Sequence, residues 1–354
     1  MTNIEKIRQE LPQYKCGAML VISPINRLYA TGFTSSAGAL LVTANGAWFF
    51  TDSRYIEAAG KTISGATVLK ANNEKPYAAQ IKAILDEQSV TAVGFEDETM
   101  SYSKYLEWKE KLEREPVPAQ KLLTDLRIIK SPADLVKMKA AQRLAEKSFM
   151  EILPLISTDI TEKQLAAELL YRFLQNGGDD KAFDPIVVSA PRSSMPHGVP
   201  GSDKITKGFL TIDFGVRLDG WCSDTTRTVC LGKPDDEMIK VYETVLKAQE
   251  AGISAARAGV KGSDVDGAAR KVIENAGYGE FFEHGFGHGL GLEVHEAPTA
   301  SAISEDILQA GAVISAEPGI YLPGRYGVRI EDVIYITEDG CENITALPKT
   351  LMVI

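Results

Sequence analysis

At 354 residues the chain exceeds the roughly 250 to 300 residues at which a single core usually splits, so two domains are expected; its 44% hydrophobic content can fill both. A formal charge of −10, spread without long like-charge runs, excludes the basic footprint of a nucleic-acid or anionic-membrane binder and leaves small molecules or peptides as partners. Four scattered cysteines without a C-x-x-C pair exclude a zinc ribbon or a dense disulfide framework.

The chain starts MTNIEKIRQE, an acid-bearing amphipathic segment through Leu11 without the apolar core of a leader. No run approaches the ~18 apolar residues of a membrane span, so a soluble, cytoplasmic protein is expected. GAMLVI and GALLVTANGAWFFTDSRY read as strands, the second folded into a hairpin at Ala44-Asn45-Gly46. TAVGFE adds a short strand and Ser101 to Leu112 a helix, which completes a small α/β domain. Ser131 followed by Pro132 marks a helix start, and apolar residues recur at helical spacing through Leu135, Met138, Ala141 and Leu144. The boundary therefore falls within Asp125 to Lys130, dividing the chain into residues 1–128 and 129–354. Beyond it lie a helix from Thr161 to Asn176 closed by Gly177-Gly178, a strand-rich region, and helical stretches from Asp236 to Ala258 and Gly262 to Ala276. No fixed-period repeat is evident.

GFLTIDFGVRLDGWCSDTTRTVCLG reads as two strands about a two-residue turn, Asp219-Gly220. That turn sets a register: Leu218 faces Trp221, Gly215 faces Asp224, and Asp213 faces Thr226. Asp213 and Asp224 become diagonal neighbours on one face, roughly 7 Å apart at the backbone. Carboxylates so close repel one another unless a cation or proton lies between them, and Gly215 is expected to leave open space for an ion. Two further acids interrupt apolar strand-like segments, Glu317 in AVISAEPGIYLP and Glu331 in GVRIEDVIYIT. Period two places Val313, Ser315 and Glu317 on one face and Arg329, Glu331 and Val333 on another. Each acid alone reads as a strand-end salt bridge, but a buried glutamate without a partner costs several kcal/mol.

HGFGHGLGLEVHEAP, from His284 to Pro298, holds three of the four histidines among alternating glycines. Two aspartates, two glutamates and one imidazole form an oxygen-rich shell suited to hard or borderline divalent ions such as Mn²⁺. Four carboxylates carry more charge than one ion needs, so a metal pair is plausible on charge grounds.

The order IDFG, SDTTRT, HGFGHGLGLEVHE, EPGIYLP and VRIED resembles the signature of the pita-bread metallopeptidases, in their proline-specific branch of aminopeptidase P and prolidase. LYATGFTSSAGALLVT and FFTDSRYIEAA resemble that branch's creatinase-type N-terminal domain, so the likeness spans nearly the whole chain. The resemblance implies a mixed α/β (α+β) fold: a creatinase-like domain over 1–128 and a pita-bread domain over 129–354, its curved, mainly antiparallel sheet covered by helices. It implies that Asp213, Asp224, His288, Glu317 and Glu331 bind two divalent metals. Asp224 and Glu331 would bridge, Asp213 would complete one ion, and His288 with Glu317 the other. A hydroxide between the ions would attack the bond before proline, with Glu317 handling its proton. His197 in SMPHGVP, His284 and His295 match the histidines that hold the substrate amide and stabilise the oxyanion. The implied enzyme is a homodimeric Xaa-Pro aminopeptidase acting on proline-containing peptides, with Mn²⁺ as first choice of metal and Co²⁺, Zn²⁺ or Fe²⁺ as alternatives.

Two departures bear on substrate. Prolidases of this kind carry arginine in HE-x-P-R, suited to a dipeptide's carboxylate, whereas HEAPTAS places Thr299 there. This favours an aminopeptidase over a strict Xaa-Pro dipeptidase, with Arg325 as a conceivable substitute and Arg329 as a support for an acid. Ala190 stands where glycine is expected, with little effect. The complete ligand set argues against a creatine-hydrolysing relative and a non-catalytic binding scaffold, and the long N-terminal domain against a methionine aminopeptidase.

Overall fold

The computed structural model describes every residue from Met1 to Ile354, and these divide into two compact units, Met1–Arg127 and Ile128–Ile354. No helix is long and apolar enough to cross a membrane.

In the first unit, helix Asn3–Glu10 starts where Thr2 and Glu5 satisfy each other's backbone amides, and it buries Ile4 and Ile7. The predicted hairpin forms, with Ala39–Thr43 antiparallel to Ala47–Thr51 and the Thr43 amide donating to Gly46. These strands join a six-stranded sheet in the order Thr67–Lys70, Ala47–Thr51, Ala39–Thr43, Ala18–Val21, Val93–Phe95, Pro116–Pro118. Ala18–Val21 and Ala39–Thr43 are buried throughout, which is why their sequences are continuously apolar instead of alternating.

In the second unit, Ser131 caps helix Pro132–Ile152, exchanging hydrogen bonds with Asp134. This helix and Glu162–Gln175 cover an antiparallel sheet of Ile186–Ser189, Gly208–Phe214 and Thr225–Leu231. Phe149 stacks on Phe214 at 5.0 Å, with Phe173 beside them. Burying Ile212 and Phe214 on the helix side turns the intervening Asp213 the other way. Helices Asp236–Ala255 and Gly262–Asn275 cover a second sheet, ordered Glu296–Ala300, Gly287–Gly289, Val313–Ala316, Asp332–Ile336, Cys341–Asn343. The first of these helices stops short of the expected Ala258 because Ala256 turns extended and the Ala258 amide donates to Thr337 instead.

The hairpin register is as predicted, Leu218 opposite Trp221 and Asp213 opposite Thr226, with no bulge. Asp219 and Gly220 have φ of 51° and 82°, the left-handed pair that a tight turn between right-twisted strands requires. The expectation for Gly215 is corrected. A Cβ there would lie 2.1 Å from the Ser223 carbonyl oxygen, so the glycine admits neighbouring backbone and leaves no room for an ion. The strand assignment of the acids is also corrected, since Glu317 follows Val313–Ala316 and Glu331 precedes Asp332–Ile336. Asp224 likewise falls between Trp221–Cys222 and Thr225–Leu231, and only Asp213 lies within a strand. Each of these breaks is where the chain leaves one sheet for another.

Candidate metal and peptide site

Residues far apart in sequence converge on one cavity of about 550 Å³: Asp213, Asp224, Glu317, Glu331 and all four histidines, His197, His284, His288 and His295, line it. The breaks between strands place the acids there. Glu317 is anchored by its amide on the Phe286 carbonyl at 2.7 Å, and Glu331 by its amide on Thr226 at 3.1 Å.

His288 donates from Nδ1 to the Gly289 carbonyl at 3.1 Å, which turns Nε2 into the cavity, 3.2 Å from Glu317 Oε1 and 3.7 Å from Asp224 Oδ2. Fixing one ring nitrogen in this way selects the other as a ligand. Ser315 links the pair, accepting from the His288 amide at 3.0 Å and donating to Glu317 at 2.9 Å. The shared face of Ser315 and Glu317 read from the sequence is present in that bond.

The charges are strongly perturbed. Burial, then the negative charges of Asp213 and Glu317, push Asp224 well above the ordinary carboxylate range. Burial, then Asp224, Glu317 and Asp213, do the same to Glu331. Burial raises Asp213 against the pull of Arg329. Burial would also raise Glu317, but the hydrogen bond and charge of His288 together hold it at about 2. For His288 burial acts downward, and Glu317 overcomes it to lift the imidazole to about 9.

Arg329 supports the acids from behind. Its guanidinium donates to Asp213 at 2.6 Å, Thr226 at 3.0 Å, Tyr321 at 2.9 Å and the Pro196 carbonyl at 3.2 Å. Thr226 in turn donates to Glu331 Oε2 at 2.8 Å. His284 donates from Nδ1 to the Gly285 carbonyl and meets the Tyr321 hydroxyl with Nε2, both at 2.8 Å; burial lowers its pKa and so favours the neutral ring. His197 and His295 are the exposed imidazoles of the wall, and His295 lies against His288 with ring centroids 4.4 Å apart.

The residues fit a divalent cation. Asp213 Oδ1 and Glu331 Oε1 are buried without a hydrogen-bond partner, although buried polar atoms are ordinarily satisfied. Ligand atoms of Asp224, His288 and Glu331 lie within 4.8 Å of one another. A buried cation would satisfy the orphaned oxygens and relieve the repulsion that raises these acids.

Other expectations change. A Cβ on Gly287 would meet the Ser315 carbonyl at 2.0 Å, and one on Gly289 the Ala297 carbonyl at 2.4 Å. These two glycines therefore admit the neighbouring strands. Arg325 lies outside the cavity wall and forms a two-pronged pair with Glu237 at 2.6 and 2.9 Å, so it does not replace the absent arginine. Thr299 lines the cavity and donates its amide and hydroxyl to Asp306 at 2.8 and 3.1 Å. The sequence reading missed Tyr321 and Thr226. The available signal for Tyr321 was period two from Glu317 through Gly319 in EPGIY.

Residues 136–338 match the model of metallopeptidase family M24, and residues 3–129 match that of the creatinase/prolidase N-terminal domain. An Xaa-Pro dipeptidase from Pyrococcus furiosus is 34% identical over 99% of both chains. Two solved structures are similar over almost their whole length. An Xaa-Pro dipeptidase from Bacillus anthracis has a TM-score of 0.96 at 37% identity, covering 99% of both chains. An X-Pro aminopeptidase from Thermotoga maritima has a TM-score of 0.92 at 33% identity, covering 98% of this chain and all of that one. The fold is thus mixed α/β, with a creatinase-like first unit and a pita-bread second unit.

Proposed function

The chain belongs to metallopeptidase family M24, and on that premise we propose that it is a metal-dependent exopeptidase hydrolysing the bond between an N-terminal residue and a following proline. The observation that carries this is the convergence of four acids and four histidines on one cavity, two of the acids with orphaned buried oxygens. Asp213, Asp224, His288, Glu317 and Glu331 would hold two divalent ions. When bound, such a pair supplies a Lewis acid for the carbonyl and an activated water.

The chain's own groups do the rest. Glu317 takes the proton of the attacking water and passes it to the proline nitrogen as the C–N bond breaks. His295 and His197, exposed on the wall, donate to the substrate as negative charge develops on its carbonyl oxygen. His284 fixes the Tyr321 hydroxyl, and through it the guanidinium of Arg329. A bond to proline has no N–H to satisfy, and Phe183, Pro185, Ile186 and Val294 give the cavity an apolar side for the ring.

Peptides longer than two residues are the preferred substrates. Arg329 is committed to four partners, and Thr299 faces a carboxylate, Asp306; the wall offers no other arginine or lysine for a dipeptide's terminus. Two of the three relatives named above are Xaa-Pro dipeptidases, which favours the alternative, a strict dipeptidase, and the third is an X-Pro aminopeptidase. Manganese, a homodimer and a cytoplasmic location belong to the same proposal. The oxygen-rich donor set supports the first, the family resemblance the second, and four free cysteines the third. Mn²⁺-loaded protein is expected to cut Xaa-Pro-Yaa faster than Xaa-Pro and to leave Met-Ala-Ser whole. Cleavage of Met-Ala-Ser with both proline peptides intact would overturn the reading.

A further inference from the structure

The segment between Ser189 and Gly201 is a strap that carries His197 and its neighbours into the cavity wall. Its crest is open to solvent, Met195 being 46% and Val199 74% exposed. The strap is held from below, where Arg329 donates to the Pro196 carbonyl at 3.2 Å and the Ser193 hydroxyl accepts the Gly327 amide at 3.1 Å, and at its base.

One carboxylate closes that base. Glu162, at the first turn of helix Glu162–Gln175, has a side chain only 2% exposed. Its Oε1 accepts the Ser189 amide at 2.8 Å and the Ser189 hydroxyl at 3.2 Å. Its Oε2 accepts the Gly201 amide at 2.9 Å and pairs with Arg192, whose other nitrogen donates to the Val199 carbonyl at 2.5 Å. The two oxygens thus grip the two ends of the strap, and the counter-ion of the same carboxylate grips its crest. We propose that Glu162 is a positioning residue for His197, acting through this strap; the inference rests on the Xaa-Pro peptidase reading for its catalytic consequence.

Displacing a substrate-facing group by about 1 Å can cost on the order of a hundredfold in rate. Glu162→Gln keeps the shape but turns an NH₂ donor against a backbone N–H. The test is a cycle of wild type, Glu162→Gln, His197→Ala and the double variant, all loaded with Mn²⁺ and assayed on Xaa-Pro-Yaa. Glu162→Gln alone is expected to lower kcat/KM roughly tenfold to a hundredfold, but less than about twofold in the His197→Ala background. Mn²⁺ affinity should stay unchanged, because Glu162 bonds to none of the candidate metal ligands. Amide exchange at Ser189 and Gly201 should accelerate while that at His288 does not. Arg192→Gln, a partly exposed and milder cut, should show the same pattern at smaller size and serves if Glu162→Gln does not fold. Equal losses in both backgrounds, weakened Mn²⁺ binding, or unchanged exchange at Ser189 and Gly201 each overturn the inference. A wild type that cuts neither proline peptide overturns the peptidase reading instead, and the exchange comparison still decides the strap.

Discussion

Lowering the pH from 9 to 7 should weaken Mn²⁺ binding steeply, because the metal competes with a proton for His288. In the metal-free chain Glu317 lifts that imidazole to about 9, whereas only the neutral ring offers Nε2 as a ligand. About half of the rings are neutral at pH 9 and roughly one in a hundred at pH 7, so the affinity falls about fiftyfold, or by about 2 kcal/mol. Stability of the metal-free fold runs the other way. The His288–Glu317 pair raises the imidazole above its ordinary 6.5, so its contribution is complete below that pH and disappears as pH rises through about 9. Titration calorimetry with Mn²⁺ at pH 7, 8 and 9, in buffers of different ionisation heat, measures both affinity and protons released. Release of at least about one proton per site at pH 7 is expected; a flat affinity with no release would refute the argument.

Three substitutions probe other parts of the site. Asp224→Asn should abolish the rise in Tm that Mn²⁺ produces in wild type, where the ion adds about 2.7 kcal/mol of stability at a hundred times Kd, as scanning calorimetry will show. His295→Ala should lower kcat by roughly 10² to 10³ while metal content, measured by elemental analysis, stays whole; loss of metal would instead make His295 a ligand. Thr299→Arg combined with Asp306→Ala places a free guanidinium on the wall. It should raise the ratio of Xaa-Pro to Xaa-Pro-Yaa turnover about tenfold, in keeping with a charge-assisted hydrogen bond of about 1.5–3 kcal/mol, and an unchanged ratio would show that the dipeptide's carboxylate binds elsewhere.

Asp213 opposite Thr226 was legible from the sequence because a two-residue Asp-Gly turn permits one register, and register needs only local geometry. The helix starting at Ser131 and the hairpin at Gly46 were legible for the same reason, since caps and turns are contacts between near neighbours. The family motifs likewise named the residues that line the cavity. Arg329 was legible as a support for an acid, but its partner was not. It reaches Asp213 across 116 residues, and Glu162 reaches Gly201 across 39; no periodicity links either pair. Gly215 misled for a related reason. Composition shows that a side chain is absent, but only the packed structure shows that the Ser223 carbonyl occupies the space. Sequence alone thus determined which groups are chemically competent and their local register. The tertiary structure decided which are paired, orphaned or shielded, because burial and long-range hydrogen bonds set the charge state of each acid.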